Sequence, residues 1–152
     1  MRRLLLIGLL ALIGGCGKDD SYEMSGLLRK LKDSNPDVRY SAVKHLGKWG
    51  VKAKPAVPSL IEALGDANKD VRIGAIYALA QIGPAAQEAL PALKGLLKDK
   101  SRGIRYGAAG AMVRLDPTNQ EAIPVLKKAL TDKSQDLRDE AADALKYVQA
   151  RR

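Results

Sequence analysis

The stretch DVRIGAIYALAQIG, Asp70 to Gly83, followed by QEALPALKGLLKD, Gln87 to Asp99, decides the fold, because the chain repeats it without a gap. DVRYSAVKHLGKW begins at Asp37, GIRYGAAGAMVRL at Gly103 and DLRDEAADALKYV at Asp136, each 33 residues from its neighbour. The linking segments keep the same spacing: KPAVPSLIEALGD ends at Asp66 and NQEAIPVLKKALTD at Asp132. YEMSGLLRKLKD, ending at Asp33, fits the register upstream. Whole columns agree: Arg39, Arg72, Arg105 and Arg138; Asp33, Asp66, Asp99 and Asp132; Ala42, Ala75, Ala108 and Ala141; Pro58, Pro91 and Pro124. A fixed period of this length is the signature of a stacked-repeat architecture.

Each unit reads as two helices. Val38, Ala42, Leu46 and Trp49 make one apolar stripe at helical spacing, which predicts a helix A over Pro36 to Trp49. Gly50, and Gly83 after it, stand where a left-handed residue would stop that helix. Val57, Leu60 and Leu64 form the stripe of a helix B from Ala56 to Leu64, with Pro58 in the first turn, where a missing N–H costs little. The turns between are short, so consecutive helices are near-antiparallel neighbours. One hairpin cannot bury both stripes, but a stack can. The expected fold is all-α, an α–α superhelix of about eight helices. It has a lone B helix at Tyr22 to Lys32, three A–B pairs, and a polar capping helix from Gln135 to about Ala150. The third repeat departs from the rest. Gly103 replaces the opening Asp, Asp116 replaces the stop glycine, and Gly107 and Gly110 weaken its A helix by about 1 kcal/mol each.

The repeat resembles the HEAT family, in particular its short variant named after phycobiliprotein lyases. That variant's pattern is Asp-x-Val-Arg, then Ala-Ala, Ala-Leu and Gly, then Ala-x-Pro-x-Leu and a late Leu and Asp. Here it appears almost intact as DVRIGAIYALAQIG and ALPALKGLLKD between Asp70 and Asp99, with the Asp directly before Val-Arg. The resemblance covers about Tyr22 to Ala150. It implies a superhelix that usually binds proteins, with helix A on the convex side and helix B on the concave side. Function does not follow from fold.

Composition agrees with a helical array. The chain has 152 residues, no Phe, one Trp and one His, and its apolar content is mainly Ala, Leu, Val and Ile. The formal net charge of +9 raises the chance of an anionic partner.

The N-terminus points to export. Arg2 and Arg3 precede an apolar run from Leu4 to Ile13, then Gly14, Gly15 and Cys16. A charged start, a short apolar run and a small-residue exit form a secretory signal peptide, and the run falls short of the roughly 20 residues of a bilayer span. Cys16 is the only cysteine, so no intramolecular disulfide can form. Ile13-Gly14-Gly15-Cys16 resembles a bacterial lipobox. That resemblance implies lipidation of the Cys16 sulfur and cleavage before it. Residues 1–15 are then the signal peptide, 16–21 the lipidated N-terminus and tether, and 22–152 the repeat domain. Removing Arg2 and Arg3 leaves a mature charge of +7. Gly17 stands where some bacteria read Asp as an inner-membrane signal. Its identity favours the outer membrane, with the repeats facing the periplasm or the cell exterior.

No catalytic constellation, metal-ligand set or cofactor motif is visible. His45, the only His, shares a column with Ala78, Ala111 and Ala144 and reads as a half-buried packing residue. Trp49, aligned with Ile82, Leu115 and Val148, reads as core. Tyr40 and Tyr106, aligned with Ile73 and Asp139, read as partly exposed. The arginine column (Arg39, Arg72, Arg105, Arg138) and the aspartate column (Asp33, Asp66, Asp99, Asp132) predict a structural ladder at the joints, each Arg holding an Asp and loop carbonyls. The candidate partner surface is helix B. Lys94, Lys98, Lys127 and Lys128 come from adjacent repeats and suit an acidic protein surface or anionic lipid headgroups. Nucleic acid suits an exported lipoprotein poorly. Two classes of function remain: a membrane-anchored, non-catalytic scaffold or adaptor in the cell envelope, or a bilin-lyase-like enzyme or accessory subunit.

Overall fold

The computed structural model describes residues 20–151; the signal segment, Cys16 and Gly17 lie outside the described residues. Among the described residues eight α-helices follow one another: α1 (Asp20–Lys30), α2 (Pro36–Trp49), α3 (Val57–Ala63), α4 (Lys69–Ile82), α5 (Leu90–Leu96), α6 (Arg102–Leu115), α7 (Ala122–Ala129) and α8 (Gln135–Gln149). No strand occurs among the described residues. The A helices are α2, α4, α6 and α8; the B helices are α1, α3, α5 and α7.

Local chemistry sets the helix ends. The side chains of Asn35 and Asn68 accept from the backbone N–H groups of Asp37 and Asp70, capping α2 and α4. Gly50 and Gly83 do take positive φ, 53° and 68°, but with ψ of −132° and −141° rather than a left-handed helical value. This extended, glycine-only conformation turns the chain into short 3-10 helices, Gly50–Ala56 and Gly83–Ala89, which lead into α3 and α5. Helix B is therefore shorter than its apolar stripe suggests. In the third repeat Asp116 occupies the stop position and no 3-10 helix forms. Its carboxylate accepts from the Thr118 N–H and hydroxyl, and Asn119 accepts from the N–H groups of Glu121 and Ala122 to open α7.

Packing follows the columns. Ala42, Leu46, Ala75, Leu79, Ala108, Met112 and Leu115 are all buried, as are Val57, Leu60, Leu93 and Leu126 from the B helices. The A helices stack directly, α2 on α4, α4 on α6 and α6 on α8, whereas the B helices lean mainly on A helices and the 3-10 segments. Small residues permit this approach. A Cβ on Gly74 would sit 2.4 Å from Val43 Cγ2, so the α2–α4 contact needs a glycine there. Trp49 is half-buried against the core, and Tyr106 is buried rather than partly exposed.

Candidate binding surfaces of the repeat array

The arginine and aspartate columns meet at every turn from helix B to helix A. Each Asp carboxylate accepts from the backbone N–H two residues on: Asn35, Asn68, Ser101 and Ser134, at 2.7–2.9 Å. Each Arg Nη1 donates to that Asp's own carbonyl and to the next one. Arg39 reaches Asp33 and Ser34, Arg72 reaches Asp66 and Ala67, Arg105 reaches Asp99 and Lys100, and Arg138 reaches Asp132 and Lys133. The arginines are half-buried pins that fasten a helix to the turn before it.

The carbonyl half of the expected ladder thus forms at all four joints, whereas among the described residues a column arginine pairs with a column carboxylate at one joint. Arg39 donates Nε and Nη2 to both Asp66 oxygens, at 2.7 and 2.9 Å, with side chains 16% and 12% exposed. That hydrogen bond holds the Asp66 carboxyl below its ordinary range and Arg39 above its own. Elsewhere the carboxylates are taken by their own turns, and Asp132 instead receives Arg102 at 3.0 Å.

The four candidate lysines of the B helices are all exposed, in or just after α5 and α7. Lys94 is not a free cation, because it pairs with Glu121 at 2.9 Å. Lys98, Lys127 and Lys128 make no ion pair among the described residues. The unmatched positive patch therefore consists of these three.

The A face carries a feature that charge reasoning missed. A groove of about 260 Å³ crosses α4, α6 and α8. Its floor is Gly107 and Gly110, one wall presents Ile73 and Tyr77, 40% and 55% exposed, and the other presents Glu140 and Asp143. Burial first, and Asp136 second, push the Glu140 carboxyl above its ordinary range. At one end the Arg114 guanidinium lies 5.5 Å from the Tyr147 ring. The signal was present in the sequence: two glycines stand inside the third A helix, which runs unbroken through them, where stacking makes no demand for them. A Cβ on Gly107 would meet Ile76 at 3.6 Å and one on Gly110 would meet Ala144 at 3.9 Å, both ordinary contacts.

His45 is exposed, not half-buried, and its Nδ1 lies 2.8 Å from the Ser41 carbonyl. The reason is position. Ala78 and Ala144 face the preceding A helix, against Gly47 and Gly110, and among the described residues no A helix precedes α2. No cluster of metal-ligating side chains exists among the described residues, and no described helix is long and apolar enough to cross a membrane.

Known structures share this architecture. A computationally designed armadillo repeat protein for modular peptide recognition is 23% identical, with a TM-score of 0.64, covering 84% of this chain and 65% of its own. An engineered protein is 24% identical, with a TM-score of 0.62 over 83% of this chain and 62% of that one. The complex of CpcE and CpcF of phycocyanin lyase from Nostoc sp. PCC7120 is 20% identical, with a TM-score of 0.51 over 83% of this chain and 99% of that one. At these identities the likeness is one of fold, and the chain spans under two thirds of the length of the designed armadillo protein and of the engineered protein. No curated protein matches the sequence at a significant level. The model of the HEAT repeats matches residues 24–87 and again 57–146, nearly the whole repeat array. The chain belongs to the HEAT-repeat family.

Proposed function

We propose that this HEAT-repeat protein is a non-catalytic scaffold, lipid-anchored through Cys16 in the bacterial cell envelope, which captures an acidic surface of a partner protein on its B helices. The observation that carries the reading is the patch of Lys98, Lys127 and Lys128, exposed and without an ion pair among the described residues. Charges of this kind steer association and fix orientation more than they add affinity, and physiological salt screens them over about 8 Å. The designed armadillo neighbour's stated purpose, modular peptide recognition, supports a binding role for such a stack. Lyase chemistry draws support only from a shared fold.

Two experiments test the proposal. Mild crosslinking in envelope membranes is expected to give a protein adduct that disappears for Lys98→Glu with Lys127→Glu and weakens as salt rises. An adduct unchanged by the reversal removes the B-helix surface from consideration. Growth with labelled palmitate is expected to label the wild type and not Cys16→Ala, which stays uncleaved or soluble. An unlabelled wild type ends the anchor reading. Two acyl chains at one terminus give stable attachment, which a single chain does not.

A further inference from the structure

We propose that the groove across α4, α6 and α8 is a second docking site, for an extended peptide segment of a partner protein that presents a Lys or Arg side chain beside an apolar one. It extends the scaffold reading to a different face and a partner of opposite charge.

The floor is the first argument. Glycine inside a helix costs about 1 kcal/mol relative to alanine, and Gly107 and Gly110 both sit within α6. Gly74, one repeat earlier in the column of Gly107, is required by the 2.4 Å approach to Val43. At Gly107 and Gly110 a Cβ would make only ordinary contacts. Stacking therefore explains the first glycine and not the other two. What the missing side chains leave is the groove itself, about 260 Å³ over the backbone of α6. Local rules broken without a packing gain are expected where a surface is shaped for a ligand.

The walls are the second argument, and they set the chemistry of the occupant. Ile73 and Tyr77 leave apolar surface open on one side. On the other, Glu140 makes no hydrogen bond or ion pair among the described residues, and Asp143 has only Lys146 at 3.6 Å, both of them largely solvated. Burial and the neighbouring Asp136 already disfavour the charged form of Glu140. Glu140 and Asp143 both stand exposed on that wall, so an incoming cation is attracted there and an anion repelled. In a chain of net charge +9 this acidic wall is local, so the groove selects against the acidic surfaces that suit the B helices. Arg114, drawn over Tyr147 at the groove's end, leaves the two acids unneutralised.

The test uses the whole mature chain and three fluorescent hexapeptides, Lys-Leu, Glu-Leu and Lys-Ser repeats, read by anisotropy. The Lys-Leu peptide is expected to bind at least tenfold more tightly than the other two. Gly107→Ala with Gly110→Ala fills the floor and is expected to weaken that binding at least tenfold while raising the melting temperature, so the loss cannot come from unfolding. Glu140→Gln with Asp143→Asn is expected to weaken it similarly and to flatten its salt dependence. Lys127→Glu with Lys128→Glu leaves it unchanged, which separates this site from the B-helix surface. Equal binding of the three peptides, or full binding by the filled-floor variant, overturns the proposal. So does dodecylammonium competing as well as the peptide, since that would make the site one for small cationic amphiphiles.

Discussion

The same substitution, Gly to Ala, should change sign between two positions of one repeat column. At Gly74 the added Cβ lies 2.4 Å from Val43 Cγ2, whereas comfortable carbon contacts are about 3.5–4.0 Å. Val43 is fully buried and β-branched, so its side chain has little freedom to turn away. Overpacking of this kind costs about 1–3 kcal/mol. A 2.4 Å approach to so rigid a side chain belongs in the upper part of that range, about 2–3 kcal/mol, and the helix-propensity gain of about 1 kcal/mol leaves Gly74→Ala destabilised by about 1–2 kcal/mol. At Gly107 the nearest atom outside the helix is Ile76 Cγ2 at 3.6 Å, so no overlap arises. Gly107→Ala should gain about 1 kcal/mol from propensity alone. At about 4 °C per kcal/mol for a domain of this size, the two variants should melt about 8–12 °C apart, on opposite sides of the wild type. Thermal and urea unfolding followed by circular dichroism give the comparison. A double-mutant cycle isolates the cause: in a Val43→Ala background, Gly74→Ala should become neutral or stabilising. If Gly74→Ala and Gly107→Ala shift stability in the same direction, or if Val43→Ala fails to relieve Gly74→Ala, the close α2–α4 approach is not what holds that glycine in place.

Three further outcomes follow from the joints and the groove. Arg72→Ala removes bonds to two carbonyls of the turn and should lower stability by about 2 kcal/mol in urea, with Arg72→Lys recovering only part, because one ammonium replaces a planar fork. Asp66 has a folded pKa below its ordinary 3.8, so its contribution is complete above that value and lost as pH falls through the lower, folded one. Asp66→Asn should flatten the acid limb of the stability curve, and an acid limb identical to that of the wild type would remove the pair's role. Glu140 has a folded pKa above 4.5, so the folded state holds its proton longer and stability falls as pH rises from 4.5 through the folded value. Glu140→Gln should stabilise the protein at pH 7 and leave it unchanged at pH 3, where Glu140 is protonated in the folded and the unfolded chain alike.

Much of the fold was legible because each repeat is a measurement of the same pattern. Helix A is predicted from Pro36 to Trp49 and spans those residues, and the final helix ends within a residue of its expected limit. Periodicity reads apolar stripes well, but it does not report how a backbone turns. Positive φ at Gly50 is foreseeable from a helix stop, whereas the 3-10 segment that follows depends on ψ, which no residue type announces. The joints show a similar division. Two aligned columns correctly place Arg and Asp at one turn, yet sequence cannot tell a carboxylate from the carbonyl of the same residue. Only Arg39 uses the Asp66 carboxylate of the next repeat, while every column arginine uses backbone oxygen.

What distinguishes one HEAT array from another lies in the columns that disagree. Stacking places members of a column side by side, so variation along the chain becomes variation across a surface. The column of Lys44, Tyr77, Gly110 and Asp143 runs cation, aromatic, gap and anion over four successive A helices. The column of Ser41, Gly74, Gly107 and Glu140 lies beside it. Where the two pass from α4 to α8, an open apolar wall, a bare helix backbone and an unpaired carboxylate come together. The invariant columns hold the joints, and their side chains are occupied in doing so: the arginines by carbonyls, the aspartates by their own turns. They have little left to offer a ligand. A conservative swap of a joint arginine should therefore change melting and leave binding intact, and neutralising an exposed, solvated carboxylate of the groove wall should do the reverse. Arg105→Lys and Asp143→Asn make the contrast. Arg105 donates to the carbonyls of Asp99 and Lys100, whereas Asp143 is exposed with only Lys146 near it. Loss of stability in Asp143→Asn, with Lys-Leu peptide binding retained, would place the working surface elsewhere on the array.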